Sequence, residues 1–134
     1  MQQQTILNRK ARKALLSVVL VAAFFLFAGV STIMAQTWVP ASEASVKASQ
    51  EALTLKNGLA GLTPGTMAYE QQVRKMTMYN HIVTNLRIEP NVGLAVELAV
   101  GTAYSPTFST PPALLPAKGE SVEGRQAAIT LLSN

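Results

Sequence analysis

The sequence predicts an all-α chain: an N-terminal signal-like or transmembrane-like helix, then a small bundle of about four short helices with a proline-rich connection before the last. Three observations predict it. Arg9, Lys10, Arg12 and Lys13 precede an apolar run over residues 14–30. Apolar side chains recur at spacings of three and four over residues 41–57 and 64–87, the period of an α-helix. The one segment that alternates with period two, residues 92–100, has no second clear strand to pair with, and a lone strand leaves its backbone unsatisfied.

The first 35 residues have the three parts of a secretory signal: a cationic start, an apolar middle and a small-residue exit. Lysine and arginine resist crossing the bilayer and hold the N-terminus on the cytoplasmic side. Ala35 and Ile33 stand first and third before a cut at Gln36, and the Ala35-Gln36 junction resembles the ends of many bacterial signal peptides. The expectation is cleavage there and a protein that works in the periplasm or outside the cell. The alternative is an uncleaved single-pass anchor. Residues 14–34 number 21, about 30 Å as a helix and just enough to span.

Residues 36–134 number 99, one domain at most. The formal charge of +4 belongs to the leader. The remainder carries Lys47, Lys56, Arg74, Lys75, Arg87, Lys118 and Arg125 against Glu43, Glu51, Glu70, Glu89, Glu97, Glu120 and Glu123, for a net charge of zero. The basic pI therefore gives no support for nucleic-acid binding. The chain contains neither cysteine nor aspartate. That removes disulfides, thiolate nucleophiles, cysteine zinc sites, the usual acidic calcium loops and a Ser-His-Asp triad. The expectation is a protein that is not an enzyme and holds no cofactor or metal.

Three regions follow the leader: a helical domain over 36–104, a connector over 105–119 and a C-terminal helix over 120–134. Residues 36–40 read as an extended lead-in. In the first helix, Ala41, Ala44, Ala48, Ala52, Leu55 and Leu59 form a narrow stripe of small residues, and Gly58 suits a left-handed stop. Thr63 and Pro64 read as the cap and first position of the second helix. Its apolar stripe is Tyr69, Val73, Met76, Tyr79, Val83 and Leu86, with Arg74, Met78, His81 and Asn85 largely away from it. Pro90 breaks that helix and suits the start of the next, which favours helix over strand for 92–100. Residues 105–118 hold four of the seven prolines and read as an extended tether. Ser121 suits a cap for a last helix whose apolar face is Val122, Ile129 and Leu132.

The chemistry-bearing residues are few. His81 is the only histidine, and no carboxylate stands beside it on its helix to orient it. Glu89 and Glu97 are the nearest plausible carboxylate pair, but Pro90 intervenes. Glu97 lies in an apolar segment and calls for solvent or a buried partner such as Arg74 or Arg87. Residues 63–66, Thr-Pro-Gly-Thr, lack the spacing and lysine of a phosphate loop. Met67, Met76 and Met78 with Tyr69 and Tyr79 read as core. The proline-rich segment differs: Tyr104, Phe108, Leu114 and Leu115 are large apolar side chains that a solvated tether does not need. They are the candidate contacts for a protein partner at the cell envelope.

Overall fold

The computed structural model describes residues 37–134; the leader, with Ala35, Gln36 and the expected cleavage point, lies outside the described residues. Four α-helices follow one another: α1 (Ala41–Gly58), α2 (Met67–Leu86), α3 (Val92–Ala103) and α4 (Glu120–Leu132). Short 3-10 turns occupy Leu59–Gly61 and Pro112–Leu114. There is no strand among the described residues, so the all-α expectation holds, including residues 92–100.

Side-chain caps start α2 and α3, while α1 and α4 begin without one. The α1 stripe is buried as expected: Ala44 and Ala48 are wholly inaccessible and Ala52 nearly so. Methyl side chains let α1 lie close against α2, at the cost of little buried area per residue. The end of α1 differs from expectation. Gly58 keeps a right-handed helical φ of −67° and the chain tightens through the 3-10 turn. The glycine is needed for space: a methyl group there would lie 2.5 Å from Gln72 Nε2, which donates to the Leu55 carbonyl at 2.9 Å.

The start of α2 also differs. Residues 63–66 close a turn in which Thr66 N donates to the Thr63 carbonyl at 3.2 Å and Gly65 adopts φ +84°. That angle is left-handed, so the helix cannot start at Pro64. Thr66 is the cap instead, its hydroxyl accepting from Tyr69 N at 3.3 Å. Met78, Tyr79 and Ile82 are the residues that α2 buries outright, and Met76, Val83 and Leu86 of the stripe are partly buried against the core. Met78, off the stripe but among the residues read as core, is fully enclosed. The reason is tertiary: α2 packs against α1 on one side and α3 on the other, so its covered surface is wider than a single stripe.

Asn91 caps α3 by accepting from Leu94 N at 3.0 Å. Val92, Ala95, Val96, Ala99 and Val100 are buried, and Trp38 packs over Gly93. Asn85 Nδ2 at the end of α2 donates to the Ala95 carbonyl at 3.1 Å, tying the two helices across the Pro90 break. The cap of α4 is Gly119, in a left-handed conformation at φ +84°, and not Ser121. The buried face of α4 is Glu120, Gly124, Ala128 and Leu132, while Val122 is 62% exposed. Glycine and alanine fill that face because α3 and Tyr104 come close, leaving no room for the larger Val122. Residues 37–39 run beside the end of α4: Val39 N donates to the Leu132 carbonyl at 3.0 Å and Asn134 N to the Thr37 carbonyl at 2.8 Å. The C-terminal helix is thereby part of the same core.

Candidate functional site

The connector is not a free tether. Two anchors hold it. At its start, Tyr104 is 8% exposed and its ring lies over Gly124 of α4; a methyl group at Gly124 would come within 2.6 Å of Tyr104 Cζ. Burial pushes the Tyr104 phenol up to about 12, because the phenolate is poorly solvated there and Glu120 adds like charge.

At its end, Arg74 of α2 donates Nε and Nη2 to the Glu120 carboxylate, the Nη2 bond at 2.8 Å. Arg74 Nη1 donates to the Leu114 carbonyl at 2.9 Å. Glu120 Oε1 also accepts from Ala117 N at 3.2 Å. The two side chains are 11% and 8% exposed. A buried carboxylate at the first position of a helix is favoured by the backbone amides there and by a two-pronged guanidinium. The arginine's hydrogen bonds hold the Glu120 carboxyl below its ordinary range, and Glu120 raises the Arg74 pKa in turn. Arg74 and Glu120 thus fasten the second half of the connector to the bundle. The sequence offered no signal for this pair: 45 residues separate them, and on α2 Arg74 reads as a solvated charge.

Between the anchors stands a small turn. Thr110 N donates to the Thr107 carbonyl at 3.1 Å, Thr107 N donates to Thr110 Oγ1 at 3.3 Å, and the two threonine hydroxyls lie 2.7 Å apart. Phe108 sits on this turn with its ring entirely exposed. The four candidate contact residues therefore separate into two pairs. Phe108 and Leu115 reach solvent, Leu115 at 37%. Tyr104 is buried, and Leu114 is half-buried within the 3-10 turn.

The remaining candidates are placed elsewhere. His81 is half-buried on α2. Glu89 accepts from Asn91 N at 3.0 Å, a local cap across Pro90. Glu97 pairs with Arg125 of α4 at 2.8 Å and not with Arg74 or Arg87, since α4 lies beside that face of α3. Glu89 and Glu97 are each committed to their own partner. No group of three metal-ligating side chains assembles among the described residues.

Several hollows flank α4 among the described residues. A cavity of about 250 Å³ is lined by Leu55, Leu62, Gln71, Lys75, Tyr104 and Glu123, among others. A shallower groove of about 650 Å³ runs between α1 and α4 over Tyr79. The chain matches no protein family model, and comparisons with curated proteins and with solved structures find no match.

Proposed function

We propose that the protein is a non-catalytic binding protein of the cell envelope, exported to the periplasm or cell exterior by its N-terminal segment, which holds another envelope protein through the proline-rich loop. One observation carries the reading: Phe108 is wholly exposed on a turn that its neighbours' hydroxyls hold closed, in a loop fastened to the bundle by Arg74 and Glu120. A phenylalanine ring left in water forgoes roughly 2 kcal/mol of burial, which docking recovers. An ordered loop also loses little entropy when it docks. Aromatic anchors of this kind dominate interface energetics. In this reading Phe108 and Leu115 touch the partner, and Tyr104 and Leu114 hold the loop that presents them.

The test is site-specific photocrosslinking in cells, with the reactive side chain placed at Phe108 and, as a control, at the distant exposed position Thr54. The expected result is a discrete crosslinked protein from position 108 only. Equal or absent crosslinking from both positions overturns the reading. Intact mass of the recovered species decides between export with cleavage, a chain beginning at Gln36, and a full-length membrane-anchored subunit. The binding reading is the same for both forms.

A further inference from the structure

The second observation is independent of the loop. Among the described helices, α3 alone shows solvent an outer face without a charged or amide side chain. Its exposed positions are Leu94, Leu98, Gly101 and Thr102. The Thr102 hydroxyl donates to the Leu98 carbonyl of its own helix at 3.0 Å. The one charged residue of α3, Glu97, turns aside to Arg125 of α4. Ile88, in the turn that leads into α3, is 87% exposed and extends the face. The other helices behave as surface helices do: α1 exposes Glu43, Gln50 and Lys56, and α4 exposes Glu123 and Gln126. A helix that is apolar all round calls for cover on both sides, and the bundle supplies only one.

We propose that this face, Ile88 with Leu94 and Leu98, lies on the surface of a lipid bilayer, and that the N-terminal apolar run is retained as the anchor in that bilayer. The place where the chain enters the bundle argues for lipid. The Trp38 ring lies over the first turn of α3; a methyl group at Gly93 would stand 2.9 Å from Trp38 Nε1. In the sequence the apolar run ends at residue 34, three residues before Thr37. Three residues reach about 10 Å. With the run across a bilayer, Thr37 is held in or just outside the headgroup layer, which is about 5–7 Å deep. The start of α3 is held there with it. Tryptophan is favoured at that depth, and Arg87, exposed beside Ile88, suits lipid phosphate. So short a tether gives lipid an effective concentration at this face that no dissolved partner matches.

The experiment reconstitutes the full chain in vesicles of phosphatidylethanolamine and phosphatidylglycerol, doped with a phosphatidylcholine that carries a nitroxide near the head of one acyl chain. The chain has no cysteine, so Leu98→Cys, or Thr54→Cys on α1 as a control, takes a single fluorescent label. Quenching by the lipid nitroxide is expected to be about threefold stronger or more at position 98 than at 54, because a face lying on a bilayer is immersed by about 5–10 Å. Adding Ile88→Glu is expected to lower the quenching at 98 about twofold, since a charge resists that depth. Ile88 is 87% exposed, so its replacement leaves the melting temperature unchanged, which separates lost docking from lost fold. Equal quenching at the two positions, or unchanged quenching with Ile88→Glu, overturns the proposal. A label at 98 that is shielded from aqueous iodide but untouched by the lipid nitroxide means that protein, such as a second copy, covers the face, and overturns it too. So does a chain beginning at Gln36 as the form present in cells. The inference takes the anchored of the two forms and makes no use of the Phe108 partner, so crosslinking at 108 and quenching at 98 succeed or fail separately.

Discussion

Replacement of Arg74 by methionine tests how the connector is held. The substitution keeps an unbranched side chain of similar length but removes two hydrogen bonds to Glu120 and one to the Leu114 carbonyl. Glu120, 8% exposed, is left as a buried carboxylate whose remaining support is Ala117 N and the amides of the first turn of α4. Breaking such a pair from one side costs about 3–5 kcal/mol. The helix terminus offsets about 0.5–1 kcal/mol of this. A net loss of about 3 kcal/mol is a large part of the stability of a domain this size, which is typically about 5–15 kcal/mol. It corresponds to a fall of roughly 12–24 °C in melting temperature.

The pH dependence gives a second reading. In the native protein the folded Glu120 pKa is depressed below its ordinary value of 4.5. Its contribution is therefore complete above about pH 4.5 and is lost as pH falls through the lower folded value. In Arg74→Met the desolvation that raises the folded pKa is opposed only by Ala117 N and Gln71. The Glu120 contribution lost on acidification is then smaller than in the native protein. Thermal unfolding by circular dichroism at pH 7 and pH 4.5 measures both effects. Replacing both partners, Arg74→Met with Glu120→Leu, removes the stranded charge and is expected to recover about half of the loss. A single-variant cost under about 1 kcal/mol, or strict additivity in the double variant, refutes the view that this pair is a buried anchor.

Other substitutions probe the packing. Gly124→Ala in the middle of a helix is stabilising by about 1 kcal/mol on propensity alone, but here the added methyl meets the Tyr104 ring at 2.6 Å. Overpacking of this kind typically costs about 1–3 kcal/mol, so the melting temperature is expected to fall, and an increase contradicts the packing. Gly119→Ala is expected to cost about 1–2 kcal/mol, because φ is +84° there; Gly119→Asn should cost about half as much, by denaturant unfolding. Leu132→Ala empties a fully buried site where α4 meets residues 37–39 and is expected to cost about 2–5 kcal/mol. Stability is also expected to fall above pH 10, since Tyr79 and Tyr104 ionise more readily when unfolded. A flat melting profile between pH 9 and pH 11 contradicts their burial.

The helices were legible because they rest on local rules. The Ala44, Ala48 and Ala52 stripe, the Pro90 break and the amphipathic run through Tyr79 each specify a helix from spacing and backbone sterics alone. The same local rules misplaced several ends. Gly58 read as a left-handed stop because its sequence neighbours allow one, but Gln72, from another helix, takes that space and uses the smallness of the glycine instead. Thr63-Pro64 carries a good cap signal, but Gly65 turns the chain before a helix can begin. Met78 lies off the sequence stripe yet is buried, and Val122 lies on the expected apolar face yet is exposed, because burial depends on which helix lies opposite.

The sequence by itself determined the helical class, the apolar leader, the lack of net charge in residues 36–134 and the absence of the residue types that several chemistries require. It also singled out Tyr104, Phe108, Leu114 and Leu115, because large apolar side chains in a proline-rich stretch conflict with simple solvation. Only the tertiary structure joined Arg74 to Glu120, placed Glu97 on Arg125 and buried Tyr104 against Gly124. Each of these depends on residues brought together from different helices. Such contacts follow from how the helices pack around one another, and periodicity along a single chain segment carries no record of them.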